Sequence, residues 1–187
     1  MPAISTCYGA YAPELFDRLS RIRFLAFDID GTITEGGVYL GNGDQELKKF
    51  YTKDGLGMSQ IIGSGVILAA ITGRCAELTA RRMAELKVPH VLQGEWDKKR
   101  ALTELCRSLG IPLERSACIG DDLNDLPMFE AAGFSACPAD AHPYMLKIAD
   151  LALSFRGGQG AMRQLCDLIM MAQGSLNLDG GPRDRNA

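Results

Sequence analysis

A chain of 187 residues is near the size of one ordinary α/β domain, long enough to bury a sizeable core and cramped for two full domains. With 47% hydrophobic and 23% charged residues and a formal charge of -3, the composition is that of a soluble globular protein. It has no basic excess, which argues against nucleic acid or an anionic membrane surface as partner.

The opening segment, MPAISTCYGAYAPELF, has neither the basic nor the continuous apolar part of a signal peptide. No run is long enough to span a bilayer, so a cytoplasmic protein is expected. The six cysteines (Cys7, Cys75, Cys106, Cys118, Cys137, Cys166) form no C-x-x-C pair, and four lie in apolar surroundings that suit buried free thiols. With only His90 and His142 to offer imidazole, a His-rich zinc site is not expected.

In chain order, residues 13–22 (PELFDRLSRI) have helical apolar spacing with Pro near the start. Residues 24–27 (FLAF) read as a buried strand. The segment 36–51 (GGVYLGNGDQELKKFY) carries two strand-like pieces around Gly41-Asn42-Gly43-Asp44 and reads as a β-hairpin, polar enough to project. Only one further helix fits before the next core strand, 66–71 (VILAAI), which is followed by a helix over 75–86. A short strand at 90–92 leads to a helix over 97–109, stopped by Gly110 and Pro112. Then come a strand at 116–119, a helix at 123–132, weak strands at 134–136 and 151–153 around a helix at 143–148, and an amphipathic helix at 161–173. The tail, 174–187, reads as flexible. The whole, 1–187, reads as a single domain.

Strands that alternate with helices imply a mostly parallel sheet with right-handed crossovers and helices on both faces. Ligands of such sheets bind outside the carboxyl ends of the strands. The residues just after each predicted strand are Asp28 and Asp30, then Thr72-Gly73-Arg74, then 94–98, then Gly120-Asp121-Asp122. They place several carboxylates, a hydroxyl and an ammonium on one edge. Carboxylates converging without imidazole or thiolate suit a hard cation, Mg²⁺ in particular, which is held by one or two carboxylates together with substrate phosphate and water. Lys98 adds positive charge, and the turn after Thr72 offers N–H groups to an anion. A carboxylate there can attack phosphorus while a second acid serves the leaving oxygen. Singly, each signal has a plain alternative: D-x-D as a polar turn, Thr72 as a helix cap, Lys98 or Lys99 as a solvated lysine, Asp121-Asp122 as a helix start.

Together, D-x-D-G-T, a Thr after the second core strand, a later Lys and G-D-D-x-x-D resemble the four motifs of the haloacid dehalogenase superfamily in its phosphatase form. The stretches DIDGTITEGGVYLGNGDQELKKFYTKDGLG, ITGR, QGEWDKK, IGDDLNDLPMF, ADAHP and GGQGAMRQLCDLIMMAQG are similar to its capless branch, which includes phosphatases of 3-deoxy-D-manno-octulosonate 8-phosphate. The resemblance implies a Rossmann-like haloacid dehalogenase fold without a cap domain and a Mg²⁺-dependent phosphatase working through an aspartyl-phosphate in lipopolysaccharide precursor synthesis. It also implies residue roles. Asp28 matches the nucleophile and a metal ligand, and Asp30 the general acid/base whose backbone carbonyl also meets Mg²⁺. Thr72 and Gly73 match the phosphate-binding turn, Lys98 the phosphate-orienting cation and Asp121 the remaining metal ligand. Asp122 and Asp125 match carboxylates behind these, Asp122 the nearer to the site.

Relatives of this branch are homotetramers in which hairpins meet and a neighbouring subunit closes the site. Arg82 matches an arginine offered across that boundary to the acidic sugar, so a phosphorylated 2-keto-3-deoxy sugar acid is the implied substrate. The residues between Gly94 and Lys98 vary within the family, which leaves Trp96 a local difference. The GGPRDR tail is a further candidate to reach a neighbouring site, Arg74 to order the phosphate turn, and His142 to start a helix.

A receiver-type signalling domain uses similar groups, but its acidic pair and phosphoacceptor lie on different strands. A non-catalytic tetramerisation module of the same fold is the second alternative, and intact Asp28, Asp30, Lys98 and Asp121 argue against it. A phosphatase for a nine-carbon relative, a sialic acid or KDN 9-phosphate, is the nearest alternative among enzymes.

Overall fold

The computed structural model describes residues 2–43 and 46–176. Its elements run β1 (Ile4–Thr6), β2 (Gly9–Tyr11), α1 (Pro13–Ser20), β3 (Phe24–Phe27), β4 (Tyr39–Leu40), β5 (Glu46–Leu47), α2 (Thr52–Gly63) and β6 (Ile67–Thr72). After these come α3 (Glu77–Glu85), β7 (His90–Gln93), α4 (Lys98–Ser108), β8 (Ser116–Ile119), α5 (Leu126–Ala131), β9 (Phe134–Cys137), α6 (Pro143–Ile148), β10 (Leu151–Ala152) and α7 (Ala161–Ala172).

Six strands form a parallel sheet in the order β10-β9-β8-β3-β6-β7. Because helices cover both faces, every residue of β3 is buried, and its side chains alternate between two cores. Leu25 and Phe27 pack with Leu19 of α1, Met58 and Ile61 of α2, and Leu165 and Ile169 of α7. Phe24 and Ala26 face Leu102 of α4, Met128 of α5 and Met145 of α6. The chain leaves β3 for β6 and β7 on one side and returns to β8 on the other. The crevice between β3 and β8 is thus a topological switch point, where such sheets bind ligands.

The hairpin expected at 36–51 is present as β4 and β5, with Tyr39 opposite Leu47 and an isolated bridge from Thr34 to Phe50 at its base. Of its turn, residues 44 and 45 lie outside the described residues. Between Asp30 and β6 the described residues hold only this hairpin and α2, so no cap domain stands there. Cys106, Cys118, Cys137 and Cys166 are buried free thiols, while Cys7 and Cys75 are exposed.

Two features differ from the sequence reading. The helix expected over 123–132 begins as a 3-10 turn, Leu123–Asp125, because the carboxylate of Asp125 turns back onto the N–H groups of Asp121 and Asp122. The antiparallel pair β1–β2 was not foreseen; it is tied down at Tyr8, whose hydroxyl donates to Asp167 of α7 at 2.6 Å. At the other end, residues 174–176 fold back onto α7, with Ser175 N–H donating to Met170 O at 2.8 Å. The rest of the expected flexible tail, with its GGPRDR sequence, lies outside the described residues.

Candidate active site

The chain turns sharply after β3. The N–H groups of Thr32, Ile33 and Thr34 all converge on the carbonyl of Ile29, at 3.4, 3.1 and 3.1 Å. Gly31, at φ +90, makes that turn, and a Cβ there would lie 2.0 Å from Oδ2 of Asp121. Ile29 is fully buried as the plug of the turn, and the carboxylates on either side of it, Asp28 and Asp30, both line the cleft above. That is the alternation expected of an extended strand end.

Beneath Asp28 lies Lys98, brought by the first turn of α4 and fully buried. Its ammonium donates to Asp28 Oδ1 at 2.6 Å and to Asp125 Oδ1 at 2.5 Å, using two of its three donors. Burial works against the charge on Lys98, but the two carboxylates outweigh it and hold its pKa above the ordinary value. Asp125 is saturated: its second oxygen accepts from the N–H of Asp121 at 2.9 Å and of Asp122 at 3.3 Å. Asp122 itself caps the 3-10 turn, accepting from Leu123 N–H at 2.7 Å, while also lining the cleft. Of the two carboxylates read as lying behind the site, Asp125 therefore makes the inward contact, whereas Asp122 sits at the rim. The reason is the tight turn, which points the last residue of the G-D-D-x-x-D run back under the sheet edge.

Carboxylate oxygens of Asp28, Asp121 and Asp125 all lie within 4.8 Å of one another. Burial, then the Asp125 charge, pushes the Asp28 carboxyl up despite Lys98. Burial, with Asp125 and Asp28 next, raises Asp121 to about 7. Such crowding is unfavourable unless a cation is shared. The donor set fits a hard divalent ion, since all of these groups offer carboxylate oxygens: Lys98 holds Oδ1 of Asp28, and the Thr32 hydroxyl donates to Oδ1 of Asp121 at 3.2 Å.

The remaining wall comes from the β6–α3 and β7–α4 connections. Thr72 is buried at the end of β6 with its hydroxyl accepting from Arg74 N–H at 3.4 Å. Asp28, Asp30, Thr72, Gly73, Arg74, Trp96, Asp121 and Asp122 share one open cleft of about 490 Å³. Arg82 is not among its lining residues. It packs beside Phe50 at the base of the hairpin and pairs with Glu85 at 2.9 Å. His142 starts α6, its Nδ1 accepting from Tyr144 N–H at 3.1 Å.

One residue was missed from sequence. Lys48, at the end of the hairpin, has its ammonium buried and donates to both oxygens of Asp30, at 2.6 and 2.9 Å. Arg74 joins it at 3.6 Å from Asp30 and also holds Glu46 of β5 at 2.9 Å. Strand alternation in ELKKF was the available signal: it places Glu46 and Lys48 on one face, toward the site, and Leu47 and Lys49 on the other.

Residues 67–160 match the haloacid dehalogenase-like hydrolase family. The 3-deoxy-D-manno-octulosonate 8-phosphate phosphatase of Salmonella typhimurium is 41% identical over 175 residues, covering 94% of this chain and 93% of that one. The crystal structure of the corresponding Yersinia pestis phosphatase superposes with a TM-score of 0.91 at 42% identity over 95% of each chain. That of the Moraxella catarrhalis phosphatase, in complex with magnesium ion, phosphate ion and KDO, superposes with a TM-score of 0.85 at 38% identity, covering 88% of this chain and 94% of that one.

Proposed function

This chain belongs to the haloacid dehalogenase-like hydrolases, in the branch of the 3-deoxy-D-manno-octulosonate 8-phosphate phosphatases, and from that membership we propose that it hydrolyses this phosphate ester to the free sugar acid and orthophosphate. The observation that carries the reading is Asp28, a cleft-lining carboxylate held from below by a buried lysine and set beside Asp30 and Asp121.

In the proposed reaction one carboxylate oxygen of Asp28 attacks phosphorus, the other being left to Lys98 and the metal ion, and the bond from phosphorus to the ester oxygen breaks, giving an aspartyl-phosphate. Asp30 delivers a proton to the departing alcohol, then takes one from the water that attacks the aspartyl-phosphate in line. Thr72 and the N–H groups after it receive the phosphate oxygens, while Lys98, buried beneath Asp28, lends its positive charge from below. Asp28 and Asp121, with the carbonyl of Asp30, would hold Mg²⁺, which supplies charge neutralisation to the phosphate and to the crowded carboxylates. Phosphate monoesters hydrolyse so slowly in water that enhancements reach about 10²¹-fold, so positioning and electrostatics must supply most of the effect.

The cleft is open, and its proposed closure is by a neighbouring subunit in a homotetramer. Supporting this, the hairpin carries Val38, Tyr39, Leu40 and Leu47 on its surface, with Leu40 78% exposed, and a two-stranded hairpin is marginal alone. Arg82, absent from its own chain's cleft and paired with Glu85, is proposed to exchange that partner for a neighbour's acidic substrate. The physiological role proposed with it is a step of lipopolysaccharide precursor synthesis.

The deciding experiment is steady-state phosphate release, with Mg²⁺, from a panel of eight- and nine-carbon 2-keto-3-deoxy sugar acid phosphates. The eight-carbon ester is expected to give the highest kcat/KM. Equal or greater rates on the nine-carbon esters would move the assignment to those substrates.

A further inference from the structure

Trp96 is the only tryptophan of the chain, and it is 71% exposed at the mouth of the cleft. An indole left in water forgoes the burial that stabilises most tryptophans, so its position calls for a reason. The core does not supply one, because Trp96 belongs to neither buried cluster.

The backbone on both sides of the ring is fixed. Gly94, at φ +70, turns the chain out of β7, and Glu95 N–H donates to Thr72 O at 3.0 Å. The side chain of Glu95 accepts from Asp97 N–H at 2.9 Å and from Arg100 at 2.9 Å, and Asp97 caps α4. This rigid loop lays the indole against Gly73 so closely that a Cβ there would lie 3.0 Å from three ring carbons. The ring therefore stands beside the Thr72-Gly73 turn, with the rest of its surface open to the cleft.

We propose that Trp96 is a specificity-determining residue, its indole forming the apolar wall against which the carbon skeleton of a bound phosphate ester rests. This rests on the reading of Thr72-Gly73 as the phosphate turn given above. A phosphate seated there directs its ester oxygen and the attached chain past the ring. A sugar acid presents C–H groups between its hydroxyls, and an aromatic face accepts these where water would be displaced from both. Polar contacts to the same substrate are within reach of Arg74, Asp122 and Asn124, which line the same cleft. Short esters present little carbon skeleton to the ring and are expected to gain less from it.

The test compares wild type, Trp96→Ala and Trp96→Phe with Mg²⁺, on the best large ester of the panel and on glycerol 3-phosphate. The ratio of kcat/KM for the large ester over the short one is expected to fall about tenfold in Trp96→Ala, through KM, and to stay within about threefold of wild type in Trp96→Phe. Because the chain has one tryptophan, its emission reports the same contact, and titration with the sugar acid product should shift it saturably. A Trp96→Ala ratio equal to wild type, or equal losses of kcat on both esters, would show that the ring only props Gly73 and would overturn the proposal. So would emission that stays fixed while the product inhibits turnover. If sugar acid phosphates prove poor substrates and another large ester is preferred, the substrate assignment fails, while the ratio on that ester still decides the role of Trp96.

Discussion

The ammonium of Lys98 lies 2.6 Å from Oδ1 of Asp28, its side chain closed off from solvent, so that the attacking group of the proposed reaction is held by a charge that water does not reach. The second carboxylate on Lys98, that of Asp125, makes this a triad. Lys98→Met leaves two buried carboxylates facing each other and is expected to lower stability in metal-free buffer by about 3 to 5 kcal/mol, read by urea denaturation, and to abolish turnover. Adding Asp125→Asn should restore part of that loss, because one uncompensated charge is then gone. Additive losses in the double variant would show that the two residues are not coupled.

Asp30 is positioned from outside the sheet, by Lys48 of the hairpin. Lys48→Ala should lower kcat about tenfold to a hundredfold while leaving the fold intact, since a misplaced proton donor loses alignment rather than chemistry. A kcat within about twofold of wild type would separate the hairpin from the reaction.

Crowded carboxylates imply that a divalent cation stabilises the protein as well as its activity. At about a hundredfold excess over Kd, Mg²⁺ should raise the melting temperature by about 5 to 11 °C. The rise should be reversed by EDTA and absent in Asp121→Asn. No shift in the wild type would argue against Asp28 and Asp121 as its ligands.

Gly157 sits where the chain before α7 presses on the first loop of the site, and a Cβ there would lie 1.7 Å from the carbonyl oxygen of Gly31. Gly157→Ala must displace one backbone or the other. It is expected to cost about 1 to 3 kcal/mol and to lower kcat more than Gly65→Ala does. Gly65 has nothing within 4 Å of such a Cβ, and its positive φ provides a control for conformational strain alone.

Asp150, in the connection from α6 to β10, ties α1 to β9 through Arg18 at 2.7 Å and the N–H of Ser135 at 2.9 Å. Burial alone would raise its carboxyl, but the hydrogen bonds from Arg18 and Ser135 prevail and hold it below the ordinary aspartate range. A depressed carboxyl pKa favours folding above the unfolded value and ceases to do so as pH falls through the folded one. Thermal melts should therefore show Asp150→Asn less stable than wild type at pH 7, the gap closing below about pH 4. A gap that persists at pH 2.5 would assign the effect to lost hydrogen-bond geometry instead of charge.

Much of the molecule was legible before its fold was known. Period and punctuation placed β3 and β8 to the residue and α4 to within a residue at each end, because apolar runs between Gly, Pro and Asp stops leave few alternatives. The β1–β2 pair escaped, since three-residue strands carry no period and its anchor, Tyr8 on Asp167, spans 159 residues. Lys48 escaped although the alternation of ELKKF sets its face, because its partner Asp30 is reached only once the hairpin folds back over the cleft.

The sequence by itself determined the alternation of strands and helices, the sheet edge on which Asp28, Asp30, Thr72 and Asp121 fall, and the carboxylate-rich character of that edge. These follow from local periodicity and from the rule that such sheets bind ligands at their carboxyl ends. Only the tertiary structure decided that Asp125 rather than Asp122 reaches Lys98, that Lys48 holds Asp30, and that the indole of Trp96 lies on Gly73. Those are contacts between segments far apart in the chain, set by the angles at which turns release their side chains, and local periodicity carries no information about them.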